Sequence, residues 1–418
     1  MATLRKDNCR IKLTAVISSC MMLVISASGT ADDAMATQVL KTSYELPSDA
    51  SQKEHDTMIK ELEQALPQCQ DPFVASRVRY RLGVLHFQVG RLVEANRLFE
   101  ALGSNPDCPI KVKLASLNMT GQTYRLIGES TKAIGAFDRL LTLLTEETTL
   151  TREDNASWAK LACLAGFGIA EIHEYRDEYT SSIEAYLRVM AFLAKQESAK
   201  LIQEYSPLAV DRISQLYLRM GNCDEYTQYV KKLVAEFPAY NRIPMIELEA
   251  KCVEFSRNHD IKVDFSTGPP SVPVQVIGWT KNTFDKSQVA ELAEAFRSTC
   301  QKHLSTIWID LLNFHLASLL DALDRSRDAT EVFATISSVD HADNSISPKR
   351  KAVLQSIQNY ATIQLAIVLG EQGKYPEALR ILKAIGSQPN QSHLAKLASS
   401  VEKSLQSLAK EVRNSEIR

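Results

Sequence analysis

Leu365 to Leu382 read as two short helices hinged at Gly373, with apolar residues at helical spacing on both sides. The layout recurs near the front of the chain. There Leu82-Gly83 and His86, then Val89-Gly90-Arg91, Ala95 and Phe99, follow in the same order. A single helix pair cannot bury its own apolar face, so a chain that repeats one stacks the pairs into an array. Such arrays present extended surfaces, which favour binding over catalysis.

The pattern can be followed six times. The first unit is Leu82, Gly83, His86, Gly90, Ala95, Phe99 and Leu102, and the second Gly121, Tyr124, Gly128, Ala133, Phe137 and Leu140. The third is Ala170, His173, Tyr179, Ser182, Tyr186 and Val189, and the fourth Ser214, Tyr217, Gly221, Tyr226, Val230 and Leu233, closed by Pro238. The fifth is Ala317, Leu320, Ala329, Phe333 and Ile336, and the sixth Ala366, Leu369, Gly373, Tyr375, Ala378, Leu382 and Ile385. A small residue on each helix lets the two backbones approach, and the bulky residue four positions later fills the layer to the next pair. Between second-helix small positions, Ala95 to Ala378, the steps are 38, 49, 44, 103 and 49 residues. Tyr226 is a poor stand-in for a small residue.

These units resemble divergent tetratricopeptide repeats. The resemblance implies an all-α fold, a right-handed superhelix of helix-turn-helix hairpins. It also implies that the first helix of each pair lines a concave groove. The groove residues would be Tyr80, Val84 and Phe87 in the first unit, joined by Arg77, and Asn118, Gln122 and Arg125 in the second. Phe167, Glu171 and Glu174 follow in the third, and Asp211, Gln215 and Leu218 in the fourth. Their mix of aromatic, amide and charged groups suits a protein or peptide segment. The carboxylate clamp of chaperone-binding relatives needs a Lys and an Asn where Tyr80 and Val84 stand, so that activity is not implied. Arg77 and Arg81 are neighbours on one helix and offer a modest anion contact or a solvated face.

The 103-residue step contains a break. Ser266-Thr267-Gly268-Pro269-Pro270-Ser271-Val272-Pro273 does not continue a helix, and Val272 to Ile277 alternates. Residues 257–284 are therefore expected as a loop or linker, with a short strand pair involving Ile261 to Phe265. This divides the array into a block over 51–256 and a second over 285–418. Residues 30–50 are small and polar and are expected as a flexible leader. At the other end Leu394, Leu397, Val401, Leu405, Leu408 and Val412 mark an amphipathic capping helix.

Residues 1–29 have the form of an export signal. Arg5, Lys6, Arg10 and Lys12 precede an apolar run from Leu13 to Ile25, shorter than a ~20-residue membrane span, and Ala27-Ser28-Gly29 follow. An uncleaved anchor, or lipidation at Cys20 in Ile17-Ser18-Ser19-Cys20, are the alternatives. The expected location is periplasmic or secreted. Cleavage would shift the net charge from −2 to −5 by removing four basic residues and one acidic one. With no block of like charge, a nucleic-acid partner is not indicated. Six cysteines would remain: Cys69, Cys108, Cys163, Cys223, Cys252 and Cys300. An even count permits disulfides after export, whereas their placement on apolar helix faces favours buried thiols. Asn118, Asn155 and Asn390 stand in N-x-S/T triplets from which no glycosylation is inferred.

Signs of chemistry are few. No phosphate-binding loop, nucleophile elbow, metalloprotease helix or C-x-x-C pair is present, so no catalytic residues, cofactor or metal are expected. Gly166-Phe167-Gly168 lacks the third glycine of a dinucleotide loop and reads as helix packing. His86 and His173 occupy packing positions, and His315 lies in an apolar stretch. Glu171, Glu174, Asp177 and Glu178 form a local acidic cluster around Arg176. The reading is a non-catalytic, exported protein-interaction scaffold. The alternative is a helical solute- or glycan-binding protein with its ligand between the blocks, near Trp279 and Trp308.

Overall fold

A computed structural model describes residues 31–416 except 48–49, 147–154, 197, 269–271, 284, 304–307, 339–347 and 387–391. Among the described residues every regular element is helical. Two compact units divide the chain, one up to Ile213 and one from Ser214. The first holds α1 (Ala31–Glu45), α2 (Gln52–Ala65), α3 (Pro72–Gln88), α4 (Leu92–Ser104), α5 (Ile110–Ile127), α6 (Ser130–Glu146), α7 (Asn155–Tyr175), α8 (Tyr179–Leu193) and the start of α9 (Ala199–Arg219). The second holds the rest of α9, α10 (Cys223–Glu236), α11 (Ile243–Asn258), α12 (Val272–Thr283), α13 (Lys286–Lys302), α14 (Ile309–Ala322), α15 (Ser326–Ser337), α16 (Pro348–Glu371), α17 (Tyr375–Gly386) and α18 (Ser392–Glu416). In each unit helices pack chiefly on their neighbours in sequence, as α3 on α4, α5 on α6, α14 on α15 and α16 on α17.

One turn explains the six repeats. Gly90, Gly128, Asp177, Gly221, Asp324 and Gly373 all adopt the left-handed conformation, with φ of +81°, +92°, +58°, +78°, +56° and +77°. In the first, the Gly90 amide donates to the Phe87 carbonyl and the Arg91 amide to the His86 carbonyl. The other five repeat this pair of bonds at the same offsets, from Glu129 to Tyr124 through to Lys374 to Leu369. The arrangement satisfies the last carbonyls of the first helix. The next carbonyl then opens the second helix, accepting from Ala95 in the first hairpin and from Ala378 in the sixth. In all six the small residue of the first helix stands seven positions before the turn residue, and the second-helix position, small in all but the fourth, stands five after it. Ala95, Ala133, Ser182, Ala329 and Ala378 are fully buried, and Tyr226 is buried in their place in the fourth.

The small residues are small because rings lie against them. A Cβ on Gly121 would stand 2.5 Å from Phe137 Cε1, and one on Gly168 would stand 2.7 Å from Phe137 Cε2. Phe137, from α6, is thus held between α5 and α7. Gly166 likewise leaves room for Val189. The Gly166-Phe167-Gly168 segment is therefore helix packing, as read from the sequence.

The uneven spacing lies outside the hairpins. The frame within each is constant, while α7 and α9 run to 21 residues and α16 to 24. The long step accommodates α11, α12 and α13. Residues 257–284 are thus not a loop with a strand pair. They hold the end of α11, a 3-10 turn at Phe265–Thr267 and α12. Pro273 falls in the first turn of α12, where its missing amide costs nothing. Val272, Val276 and Ile277 are buried while Val274 is 60% exposed, a helical rather than an alternating face. α11 ends in the same turn geometry at Asp260, where φ is +51°. The residue five positions on is Phe265, in the 3-10 turn, and no second helix of the usual kind follows. The division of the chain into two compact units falls inside α9, between Ile213 and Ser214.

Residues 30–50, expected as a flexible leader, contain α1. Asp33, Ala36, Leu40 and Ser43 form its buried face. The Asp33 carboxylate accepts the backbone amides of Gln70 and Asp71 at 3.0 and 3.1 Å. At the other end, buried Arg81 donates through Nε to Ser43 Oγ at 3.2 Å and through Nη2 to the Ser43 carbonyl, with its guanidinium 5.0 Å from the Tyr44 ring centre. Arg81 therefore ties α1 down instead of offering an anion contact. Residues 1–29 and the proposed signal lie outside the described residues. The capping helix expected at the end is present as α18, where Leu405 packs against Gly370; the side chains of Leu394 and Val412 lie outside the described residues. Helix α16 is apolar enough over Lys351–Glu371 to cross a membrane, but Ala361, Ile363, Ala366, Val368 and Leu369 are buried, in a helix packed on α14, α15, α17 and α18.

Candidate functional site

The turn fixes the register of the first helices, so equivalent positions can be compared. Ten, six and three residues before the turn stand Tyr80, Val84 and Phe87 on α3, then Asn118, Gln122 and Arg125 on α5. Phe167, Glu171 and Glu174 follow on α7, and Asp211, Gln215 and Leu218 on α9. These are the positions expected to line a groove, and they do share one face. Their surroundings differ.

On α3 the face is core. Tyr80 and Val84 are buried with Ala95, Phe99, Leu102 and Met119, and Phe87 packs against the same cluster. The Tyr80 and Phe99 ring centres are 5.7 Å apart. Arg77 is half-buried, with its guanidinium 5.7 Å from the Phe73 ring centre. At the interior positions Val84 and the ring of Tyr80 are given over to packing in this cluster. This end of the face carries stacking, with Tyr80 and Val84 packed against Ala115 and Met119 of α5.

From α5 to α9 the face turns polar, with Asn118, Gln122, Asp211 and Gln215 buried and Arg125, Glu171 and Glu174 half-buried. Asn118 is 1% exposed and Gln122 6%. The side-chain carbonyl oxygens of both are buried without a hydrogen-bond partner. Arg125, one turn further on, forms an ion pair with Glu171 of α7 and links the second and third hairpins. Tyr186 reaches this face from α8. Its ring packs edge-on to Phe167, with centres 5.1 Å apart, and its hydroxyl is buried and unpartnered. Burial pushes the Tyr186 phenol up, and Glu171 and Glu174 push it further, against Arg212 and Arg125. It stays protonated at any physiological pH. Burial lowers Arg212, yet the carboxylates of Glu174, Glu171 and Asp211 act against it and the net direction is upward. Neither Tyr186 nor Arg212 was singled out for this face from the sequence. In the repeat pattern Tyr186 holds a packing position, and a side chain that reaches this face from α8 leaves no periodic signal along α5 or α7.

The acidic cluster resolves into two parts. Glu171 and Glu174 belong to the polar face. Asp177 is the turn residue of the third hairpin, and Glu178 accepts from His173 Nδ1 at 2.6 Å and Arg176 Nη2 at 2.9 Å. His173 and His86 are thus packed side chains, and burial lowers the pKa of the latter. The six cysteines among the described residues are free thiols; Cys108, Cys163, Cys252 and Cys300 are buried, and burial pushes Cys163 up to about 12. Trp308 donates its indole N–H to the Asn241 carbonyl at 2.6 Å. The side chain of Trp279 lies outside the described residues. Among the described residues no three metal-ligating side chains converge. A cleft of about 80 Å³ on the opposite side of the third hairpin is lined by Leu141, Ala162, Ile169, Val189 and Phe192. Small-molecule pockets usually span ~300–1,000 Å³.

No family profile matches the sequence, and no curated protein matches it. Solved structures do. A tetratricopeptide repeat protein from Parabacteroides merdae is similar at 14% identity over 78% of this chain and 99% of its own, with a TM-score of 0.38. Yeast Tom70 is similar at 13% identity over 91% of this chain and 97% of its own, with a TM-score of 0.30. The apo form of RapI is similar at 11% identity over 90% and 98%, with a TM-score of 0.41. At these values the likeness carries nothing beyond the repeated helix pair. The fold rests on the turns and small-residue contacts described above, and by them the chain is an all-α array of tetratricopeptide-like hairpins.

Proposed function

We propose that the chain is a non-catalytic binding scaffold that takes an extended peptide or protein segment along the polar face of α5 and α7. One observation carries the reading: Asn118 and Gln122 are buried one turn apart on that face with unpartnered carbonyl oxygens. A buried polar atom without a partner costs about 1–3 kcal/mol. A peptide backbone carries one donor and one acceptor per residue and is the natural complement to a carboxamide, which both donates and accepts. The pattern of export-type residues at 1–29 supports action outside the cytoplasm, and N-terminal sequencing of the exported protein tests it: a chain still starting at Met1 argues against cleavage.

Selection from a library of displayed random peptides tests the binding role. The wild-type chain should enrich a set of peptides that an Asn118→Leu/Gln122→Leu variant of unchanged helical content does not retain. Equal retention by the variant would remove this face from the reading.

A further inference from the structure

We propose that α1 holds the place of a partner helix: the groove beneath it, formed by α2 and α3, takes an amphipathic helix that brings a carboxylate to Arg81. This site lies at the start of the array and is independent of the polar face of α5 and α7.

Arg81 is a guanidinium only 2% exposed, and its contacts include no carboxylate. Nε donates to Ser43 Oγ at 3.2 Å and Nη2 to the Ser43 carbonyl, and the Tyr44 ring centre is 5.0 Å from the group. Nη1 is buried without a partner. Burial pulls the pKa down, and no carboxylate is among the groups that act on it. A guanidinium keeps its charge even so, and a buried charge is ordinarily paired. Here its counterparts are a hydroxyl and a carbonyl at the end of a helix, whose dipole supplies a fraction of a charge. A helix with an acidic side chain at that place would meet Arg81 better than α1 does.

α1 is also loosely held. It packs on α2, α3 and the 3-10 turn between them, and it belongs to none of the six hairpins. Among the described side chains of its 15 residues, Ala36 and Leu40 are the apolar ones that are buried. They join Ile59 and Leu62 of α2 and Val78 and Leu82 of α3 in one cluster. An element with so few buried apolar side chains opens at a fraction of the energy of global unfolding. When α1 leaves, the apolar floor and the guanidinium are uncovered together.

The anchors of α1 define what can replace it. Asp33 accepts the amides of Gln70 and Asp71, Ala36 and Leu40 fill the groove, and Ser43 meets Arg81. These four stand at intervals of three, four and three residues, one face of a helix. The partner helix therefore carries an acidic residue, an Ala and a Leu at the first three places and Asp or Glu at the fourth. A separate helix is free to shift by the extra bond that a carboxylate adds to a hydroxyl.

Fluorescence anisotropy tests this with two labelled peptides spanning residues 31–45, one of native sequence and one with Ser43→Asp. The receptor is the full chain with Leu40→Asp, which weakens docking of its own α1 and leaves α2 and α3 unchanged. The Ser43→Asp peptide should bind about tenfold tighter than the native one, the step from a neutral to a charge-assisted hydrogen bond. Arg81→Met added to the receptor should bring the two within about twofold of each other. The wild-type chain should bind the Ser43→Asp peptide more weakly, by roughly tenfold or more, because its own α1 competes from within the molecule. If the two peptides bind the Leu40→Asp chain alike, if neither binds, or if the wild-type chain binds as tightly, the inference is overturned. A wild-type dimer in light scattering that Leu40→Asp abolishes also overturns it, since the groove then belongs to α1 of a second copy. Should the Leu40→Asp chain lose helical content, Ser43→Asp in the otherwise native chain reads the same contact. Limited proteolysis within 31–45 should then slow several-fold, and unchanged or faster cleavage overturns the inference.

Discussion

Gly121→Ala tests whether the hairpins are as closely packed as the ring contacts require. The added methyl would stand 2.5 Å from Phe137 Cε1 and 2.7 Å from Cδ1 and Cζ. Carbon atoms in contact prefer ~3.5–4.0 Å, so the ring must retreat by about 1 Å. Its other edge already faces Gly168, where even a Cβ would be 2.7 Å away. Overpacking a confined core site costs about 1–3 kcal/mol, and this one lies toward the upper end because both sides are blocked. The better helix propensity of Ala returns about 1 kcal/mol. The net expectation is a loss of about 1–2 kcal/mol. Gly135, in α6 of the same hairpin, has nothing within 4 Å of its Cβ site, so Gly135→Ala should gain about 0.5–1 kcal/mol. Urea denaturation followed by far-ultraviolet circular dichroism reads both as shifts of the midpoint, in opposite directions. Phe137→Leu added to Gly121→Ala should cost less than the sum of the two, since both act on one contact. If Gly121→Ala stabilised the chain as Gly135→Ala does, the close approach of α5 and α6 would be refuted.

Three further outcomes are expected. Asp324→Gly should stabilise by up to about 1 kcal/mol by relieving a left-handed non-glycine residue, since its exposed pairing with Lys286 contributes little; chemical denaturation measures the gain. Arg81→Met should release α1, because the Ser43 carbonyl loses a charged donor worth about 1.5–3 kcal/mol, and limited proteolysis should cut within 31–45 sooner than in the wild type. His315, lowered to about 4 by burial between Phe296 and Phe314, is neutral in the folded chain and charges in the unfolded one near pH 6.5. Its contribution is complete above about pH 6.5 and is lost as pH falls toward 4; the order of magnitude is 3 kcal/mol, and His315→Leu should flatten that part of the stability profile in a pH series of melts.

The hairpins were legible because their constraints are local. A left-handed turn residue and a small residue seven before it recur in all six hairpins, and a small residue five after it in all but the fourth, where Tyr226 stands; short-range rules of this kind are written directly in residue type. Two turns were harder to see because Asp177 and Asp324 do the work that Gly does in the other four. α12 was hidden by Pro273 and by an alternating look, although the spacing of Val272, Val276 and Ile277 is helical. α1 was hidden by its small polar composition: Asp33, Ala36, Leu40 and Ser43 share a face, but what stabilises it is Arg81, thirty-eight residues beyond Ser43. The candidate site was legible as a set of aligned positions and not as an environment. Residue type separates Tyr80 and Val84 from Asn118 and Gln122, but it does not show that the two carboxamides are buried with unpartnered oxygens. That distinction depends on what each face meets, and for Tyr186 on a helix of the same hairpin.

The most direct test of the scaffold account is hydrogen–deuterium exchange of the full chain with and without a peptide enriched by selection. Protection gained in α5, α7 and the first half of α9, and reduced in the Asn118→Leu/Gln122→Leu variant, is the predicted result. Protection confined to other helices, or none despite demonstrated binding, would contradict it.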